Sequence, residues 1–156
     1  MIDIVLAFLI SMLPILELRG GIIFAAAREI PFLAAFLVCF AGNIIPIPFI
    51  LFFIRKIFNF LGKFKYTKKL VVKLENRARA KSDKVRKHQL LGLFLLVAIP
   101  LPGTGAWTGS LVAAFLNLPP KKAFLTITLG VLGAGIIMSL LFYLAPDLYK
   151  TLIVRH

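Results

Sequence analysis

The sequence predicts an all-α integral membrane protein built as two inverted repeats. Each repeat is a re-entrant helical hairpin followed by one transmembrane helix, and a basic amphipathic cytoplasmic segment joins them. Three observations carry this reading. First, 60% of the 156 residues are hydrophobic, 16% are charged, and the mean hydropathy is +0.96. A soluble domain of this length cannot hide so much apolar surface. Second, residues 13–42 fall on residues 101–130 without a gap, at an offset of 88, and ten of those thirty positions are identical. Third, 13 of the 19 Lys and Arg residues lie in one block, residues 55–88.

The identical pairs include Pro14/Pro102, Gly21/Gly109, Pro31/Pro119 and Gly42/Gly130. Matched prolines and glycines weigh more than matched Ala or Leu, because they set backbone breaks rather than composition. A repeated apolar segment with breaks at corresponding places points to transporter architecture, with the site at the breaks.

Charge spacing divides the chain into elements. Residues 4–16 are apolar or small and end at Glu17 and Arg19; residues 20–27 end at Arg28 and Glu29. A spanning helix needs about 20 apolar residues, while runs of 10–14 suit re-entrant or interfacial segments. Residues 30–54 and 123–146 carry no charge and are the two full spans. Residues 3–27 and 90–118 each suit two half-helices with a tip, at 14–21 and 100–109. Pro and Gly free backbone groups at those tips, which is tolerated only inside protein or along a wet cavity. The competing reading is four ordinary spans, two of them kinked. The whole chain is read as one membrane domain: repeat one (1–54), linker (55–88), repeat two (89–146) and tail (147–156).

Charge also orients the protein. The linker holds 13 basic residues against Glu75 and Asp83, so it carries +11 of the formal +13. Positive-inside bias puts it in the cytoplasm, with the protein multi-pass in the cell membrane. Hairpin one then opens outward and hairpin two inward, which makes the repeats inverted. Ile57, Phe58, Leu61 and Phe64 recur at helical spacing in the linker, as do Leu70, Leu74, Ala78 and Val85. These predict amphipathic helices on the inner leaflet, held by anionic headgroups. Nucleic acid is not expected as a partner, because topology already accounts for the basic charge. The first residues lack a basic n-region and are not read as a cleaved signal peptide. The single cysteine, Cys39, lies in an apolar run and reads as packing.

Chemistry should sit at the tips. Glu17, Arg19, Gly20 and Gly21 place an acid and a base within an apolar stretch. Intramembrane ionisable residues default to functional roles. Glu17 is a candidate proton carrier, since apolar surroundings penalise a charged carboxyl. Arg19 suits a phosphate or carboxylate. Mutual neutralisation of the two is the competing reading. Gly20 and Gly21 would let a helix N-terminus approach an anion, or serve close helix packing. The second tip is uncharged and offers Pro102, Gly103, Thr104, Gly105, Trp107 and Thr108. In the repeat register Gly105 matches Glu17 and Trp107 matches Arg19. Trp107 reads equally as an interface anchor. Asn43, near Pro46 and Pro48, is a polar group in the first span that needs a partner, and it reads as packing.

Glu-Leu-Arg-Gly-Gly at 17–21 and Pro-Leu-Pro-Gly-Thr-Gly-Ala-Trp-Thr-Gly at 100–109 resemble the paired signatures of the small multidrug export protein family. The resemblance covers nearly the whole chain. In organisation the chain is also similar to the wider DedA/VTT membrane protein group. That likeness implies opposed re-entrant hairpins and, for several members, movement of lipids such as polyprenyl phosphates between leaflets. The second tip here lacks an arginine, so a symmetric two-arginine headgroup clamp is not available within one chain.

Three functions stay open at this level. One is a transporter of a small amphipathic or anionic substrate, proton-coupled through Glu17. Another is a flippase or scramblase for polyprenyl phosphate or phospholipid, with Arg19 on the phosphate. The third is a non-transporting membrane scaffold. No enzyme, cofactor or metal site is expected: His88 and His156 have no neighbouring Cys, Asp or Ser arrangement, and there is no P-loop. Two spans and two hairpins enclose little interior, which keeps a homodimer open.

Overall fold

The computed structural model describes residues 2–61, 83–101 and 103–144; these form helices joined by short turns and contain no strand. In chain order the helices are α1 (Ile2–Met12), α2 (Glu17–Ala27), α3 (Phe32–Ile44), α4 (Pro46–Leu61), α5 (Asp83–Ala98), α6 (Ala106–Phe115) and α7 (Pro120–Ser139). A π-helical turn, Leu140–Leu144, closes α7. Ile57, Phe58 and Leu61 fall on α4 and Val85 on α5. Phe64, Leu70, Leu74, Ala78, Pro102 and the tail 147–156 lie outside the described residues.

Prolines set the helix ends. α1 stops before Pro14 and α5 before Pro100, because the residue ahead of proline is driven out of the helical region. Pro31 and Pro119 stand at the N-caps of α3 and α7. The expected span 30–54 is interrupted once, at Ile45 between α3 and α4. Pro46 has no N–H to continue the ladder, although Ile45 keeps helical dihedrals (φ −53°, ψ −43°). By length and composition Phe32–Ile54 and Pro120–Tyr143 can each cross a membrane.

Segment 2–28 folds back on itself. α1 packs along α2, and Arg28 Nε lies 3.7 Å from Asp3 Oδ1 at the open end of the hairpin. α5 and α6 form the second hairpin, and α6 also packs on α4. α7 is the common wall, touching α2, α3, α5 and α6. Where each long helix meets the first helix of its own hairpin, the contact is backbone-close. A Cβ at Gly42 would stand 2.5 Å from Phe8 O, and one at Gly130 would stand 2.7 Å from Val97 Cβ.

The two corners that follow α2 and α6 are built alike. Ile30 N–H donates to Ala25 O (3.0 Å), and Leu118 N–H donates to Ala113 O (2.9 Å). Glu29 (φ 55°) and Asn117 (φ 52°) are left-handed at the same register position. This is the six-to-one bond and left-handed C′ residue of a Schellman end, with buried Ile30 and Leu118 as its apolar contact. The core between the hairpins is held by Leu18, Ile22, Leu93, Val97, Ile127 and Val131. The outer faces carry exposed Leu33, Leu37, Phe49, Leu125 and Leu129, an apolar coat suited to lipid.

Candidate functional site

The tips of the two hairpins meet, and the first grips the second through Glu17 and Arg19. Glu17 is 4% exposed and has a left-handed backbone (φ 52°), which turns its side chain out of the start of α2. Its Oε2 accepts the Ala106 N–H (3.1 Å), and its Oε1 accepts the Trp107 N–H (3.0 Å). These are orphan donors of the first turn of α6, whose N-cap, Gly105, offers no side chain. A carboxylate there also meets the positive end of the helix dipole.

Arg19 reaches the other broken end. Its Nη1 donates to Leu101 O, while Nη2 donates to Ile99 O (3.3 Å) and Thr104 Oγ1 (3.0 Å). Ile99 and Leu101 follow the C-terminus of α5, where a cation is favoured, and their carbonyls also accept the Leu101 and Thr104 backbone N–H groups. The spacing Glu-x-Arg therefore delivers one charge to each severed end of the opposite hairpin. The two side chains serve separate partner sets instead of neutralising one another in a direct ion pair.

Thr104 Oγ1 donates into the same carbonyl pair, Ile99 O (3.1 Å) and Leu101 O (2.8 Å). Thr108 Oγ1 donates to Gly103 O (3.0 Å) and closes the tip from within. Trp107 Nε1 donates back to Met12 O (3.1 Å), at the end of α1. Gly105 has φ 140°, and a Cβ there would overlap the Glu17 carboxylate. Gly103 is left-handed at φ 77°. Neither Gly20 nor Gly21 leaves room for a Cβ. A Cβ at Gly21 would collide with Ser11 Oγ and stand 2.8 Å from Cys39 Sγ, and one at Gly20 would stand 2.7 Å from Leu16 Cβ. Pro102 lies outside the described residues.

The site also contains groups that the sequence did not single out. The acceptors are backbone carbonyls of Met12, Ile99 and Leu101, and the donors to Glu17 are backbone N–H groups. Residue identity does not announce them. The one legible hint was the register, which sets a large carboxylate at 17 against a glycine at 105. Asn43, read as packing, lines a small cavity with Glu17, Arg19 and Gly105.

The second tip and the first from Glu17 onward fall within a match to a known family. The sequence model of a protein family described as Putative small multi-drug export protein matches residues 17–137. The chain belongs to this family. No curated protein and no solved structure matches it. The small multi-drug export match starts at Glu17 and takes in Arg19, α3, α6 and most of α7, so it includes every residue of the tip contact except Met12. With two helices long and apolar enough to cross a bilayer, this family member is a membrane protein of export type.

Proposed function

We propose that the protein is a small transporter that moves a small amphipathic or anionic substrate between two opposed re-entrant hairpins, with Glu17 as the proton-carrying group. The observation that carries this reading is the tip contact itself. Glu17 and Arg19 occupy the two half-helix ends where transporters of broken-helix design hold charged substrate groups. In this arrangement the protein's own side chains hold those ends, and substrate passage requires their release.

Element lengths support the re-entrant reading. α1 and α2 have 11 residues each and α6 has 10. At 1.5 Å per residue they reach about 15–17 Å, half of a hydrocarbon core about 30 Å thick. The contact pattern supports a two-fold relation between repeats. Glu17 touches Gly105, its own register partner. Arg19 reaches Leu101, the partner of Leu13, while Trp107, the partner of Arg19, reaches Met12, one residue before Leu13, so the two contacts are reciprocal to within one residue. Contacts of a residue with its own counterpart, and reciprocal contacts around it, are what a local two-fold axis generates. Combined with the cytoplasmic linker, that axis lies in the membrane plane and the repeats are inverted.

Protonation is the natural trigger. A carboxylate accepts both N–H bonds; a neutral carboxyl loses the charge and offers one oxygen as a donor. Acid therefore loosens the grip on α6. Trp107, the single tryptophan, reports this directly through its bond to Met12.

The test is transport in proteoliposomes, with wild type, Glu17→Gln, Arg19→Ala and Arg19→Lys. Uptake of an amphipathic anion driven by a pH gradient, abolished by Glu17→Gln in folded protein, is the expected result. Translocation of labelled polyprenyl phosphate or phospholipid that needs Arg19 but not Glu17 would replace it with lipid flipping. Absence of either movement, with function lost only on deleting residues 63–87, would make the protein a scaffold.

A further inference from the structure

We propose that the cavity beside the tips is a binding site for a single water molecule, held between Asn43 and the Glu17 carboxylate, and that Asn43 is a positioning residue for proton exchange at Glu17. The second half rests on the proton-carrying role proposed above. The first half stands on the geometry alone.

Asn43 lies on α3 and is 3% exposed, and its Oδ1 has no hydrogen-bond partner within the protein. A buried acceptor left unpaired is costly, so such atoms are normally satisfied by ordered solvent. The cavity it lines measures about 10 Å³, close to what one water needs. Glu17, Arg19, Gly105 and Ala106 form its polar side, and Val97 and Val131 its apolar side.

Three features select water among ligands. The volume excludes any substrate larger than a few atoms. The Arg19 guanidinium and the N-terminal end of α6 border the cavity and oppose a cation. Asn43 Oδ1 and Glu17 are both acceptors and oppose an anion. A neutral molecule with two donors satisfies both. Each Glu17 oxygen has accepted one backbone N–H and keeps a lone pair for a further bond.

This placement gives Glu17 a proton route that does not need the α6 contact to open first. The water passes one hydrogen to the carboxylate as it takes one from a solvent hydronium, so Glu17 gains one proton and the water is unchanged. Arg19 is the charged group that faces Glu17 here. α3 contributes the neutral amide of Asn43, α6 its backbone N–H groups, and α5 and α7 contribute Val97, Val131 and Ala134.

Two measurements decide it. An experimental structure at a resolution that shows ordered solvent should contain one peak within hydrogen-bond distance of both Asn43 and Glu17; no peak there overturns the site. Separately, Trp107 fluorescence after a downward pH jump should respond at least tenfold more slowly in Asn43→Leu than in wild type, with the final amplitude kept. Asn43→Ser, whose hydroxyl can still bond the water, should recover part of the rate, and it serves as the test if Asn43→Leu does not fold. An occupied cavity with an unchanged rate overturns the positioning role alone. A wild-type signal that ignores pH, or persists in Glu17→Gln, overturns the proton role of Glu17 and Asn43 together, and the solvent peak still decides the site.

Discussion

Glu17 and Gly105 share a register position and divide one space between them. Glycine is required at 105 twice over, by its φ of 140° and by the carboxylate that fills the place of a Cβ. Gly105→Ala should therefore lower stability by more than the about 1–3 kcal/mol of backbone strain alone. Combining it with Glu17→Ala should recover the steric part, so the two changes are non-additive in thermal unfolding. Glu17→Gln keeps one acceptor oxygen but sets an amide NH₂ against a backbone N–H. It should cost about 1.5–3 kcal/mol, in the range of a hydrogen bond to a charged group. Arg19→Ala should be worse than Arg19→Lys, because lysine still brings charge to the α5 carbonyls but lacks the planar fork that serves Leu101, Ile99 and Thr104 together. Calorimetry or fluorescence melts of the purified variants measure all of these. Glu17 and Arg19 stand out in the sequence for their setting in an apolar run. Their partners do not, because a backbone N–H or carbonyl carries no residue signature.

At the scale of elements, the two Schellman corners offer a matched pair of tests. Glu29 and Asn117 are both left-handed, a conformation that costs an ordinary L-residue about 1–2 kcal/mol but suits Asn better. Glu29→Gly should stabilise the protein, and Asn117→Gly should do so less or not at all. Equal effects in thermal unfolding would mean that the corners are not equivalent. The prolines made the helix ends predictable, and the span from 30 to 54 was readable apart from its break at Ile45. That break follows from Pro46 and needed only the missing N–H to be weighed. The close approaches at Gly42 and Gly130 were legible as matched glycines, but the surfaces they face were not. Phe8 O and Val97 Cβ arrive from helices whose placement the repeat does not specify.

For the whole molecule, the hairpins and their orientation make one prediction. In a Cys39→Ala background, Asp3→Cys and Glu29→Cys should react with an impermeant thiol reagent from the same side of the membrane, and Lys121→Cys from the other. Reaction of Asp3→Cys and Glu29→Cys from opposite sides would restore the reading of four kinked spans. The ion pair between Arg28 and Asp3 already brings the open end of hairpin one together. α7, the packing of α6 on α4 and the tip contact together join the two halves, so the contact at Glu17 and Arg19 lies on the seam of the fold. If acid releases Glu17 as proposed, the halves should move against each other, and Trp107, bonded to Met12 across the seam, should report it as a change in fluorescence.

The membrane class, the repeat, its breaks and two charges set in an apolar run are all readable in the sequence. Each of these depends on local properties: hydropathy, the fixed φ and missing N–H of proline, the freedom of glycine, and the cost of charge in an apolar run. The three-dimensional fold is what sets Glu17 and Arg19 on the two broken helix ends at the tip of the other hairpin instead of on each other. It alone placed Asn43 at the cavity beside them. Those facts depend on residues some ninety positions apart being brought within hydrogen-bond distance. The groups that meet there are backbone dipoles, which every sequence has and only a fold can aim.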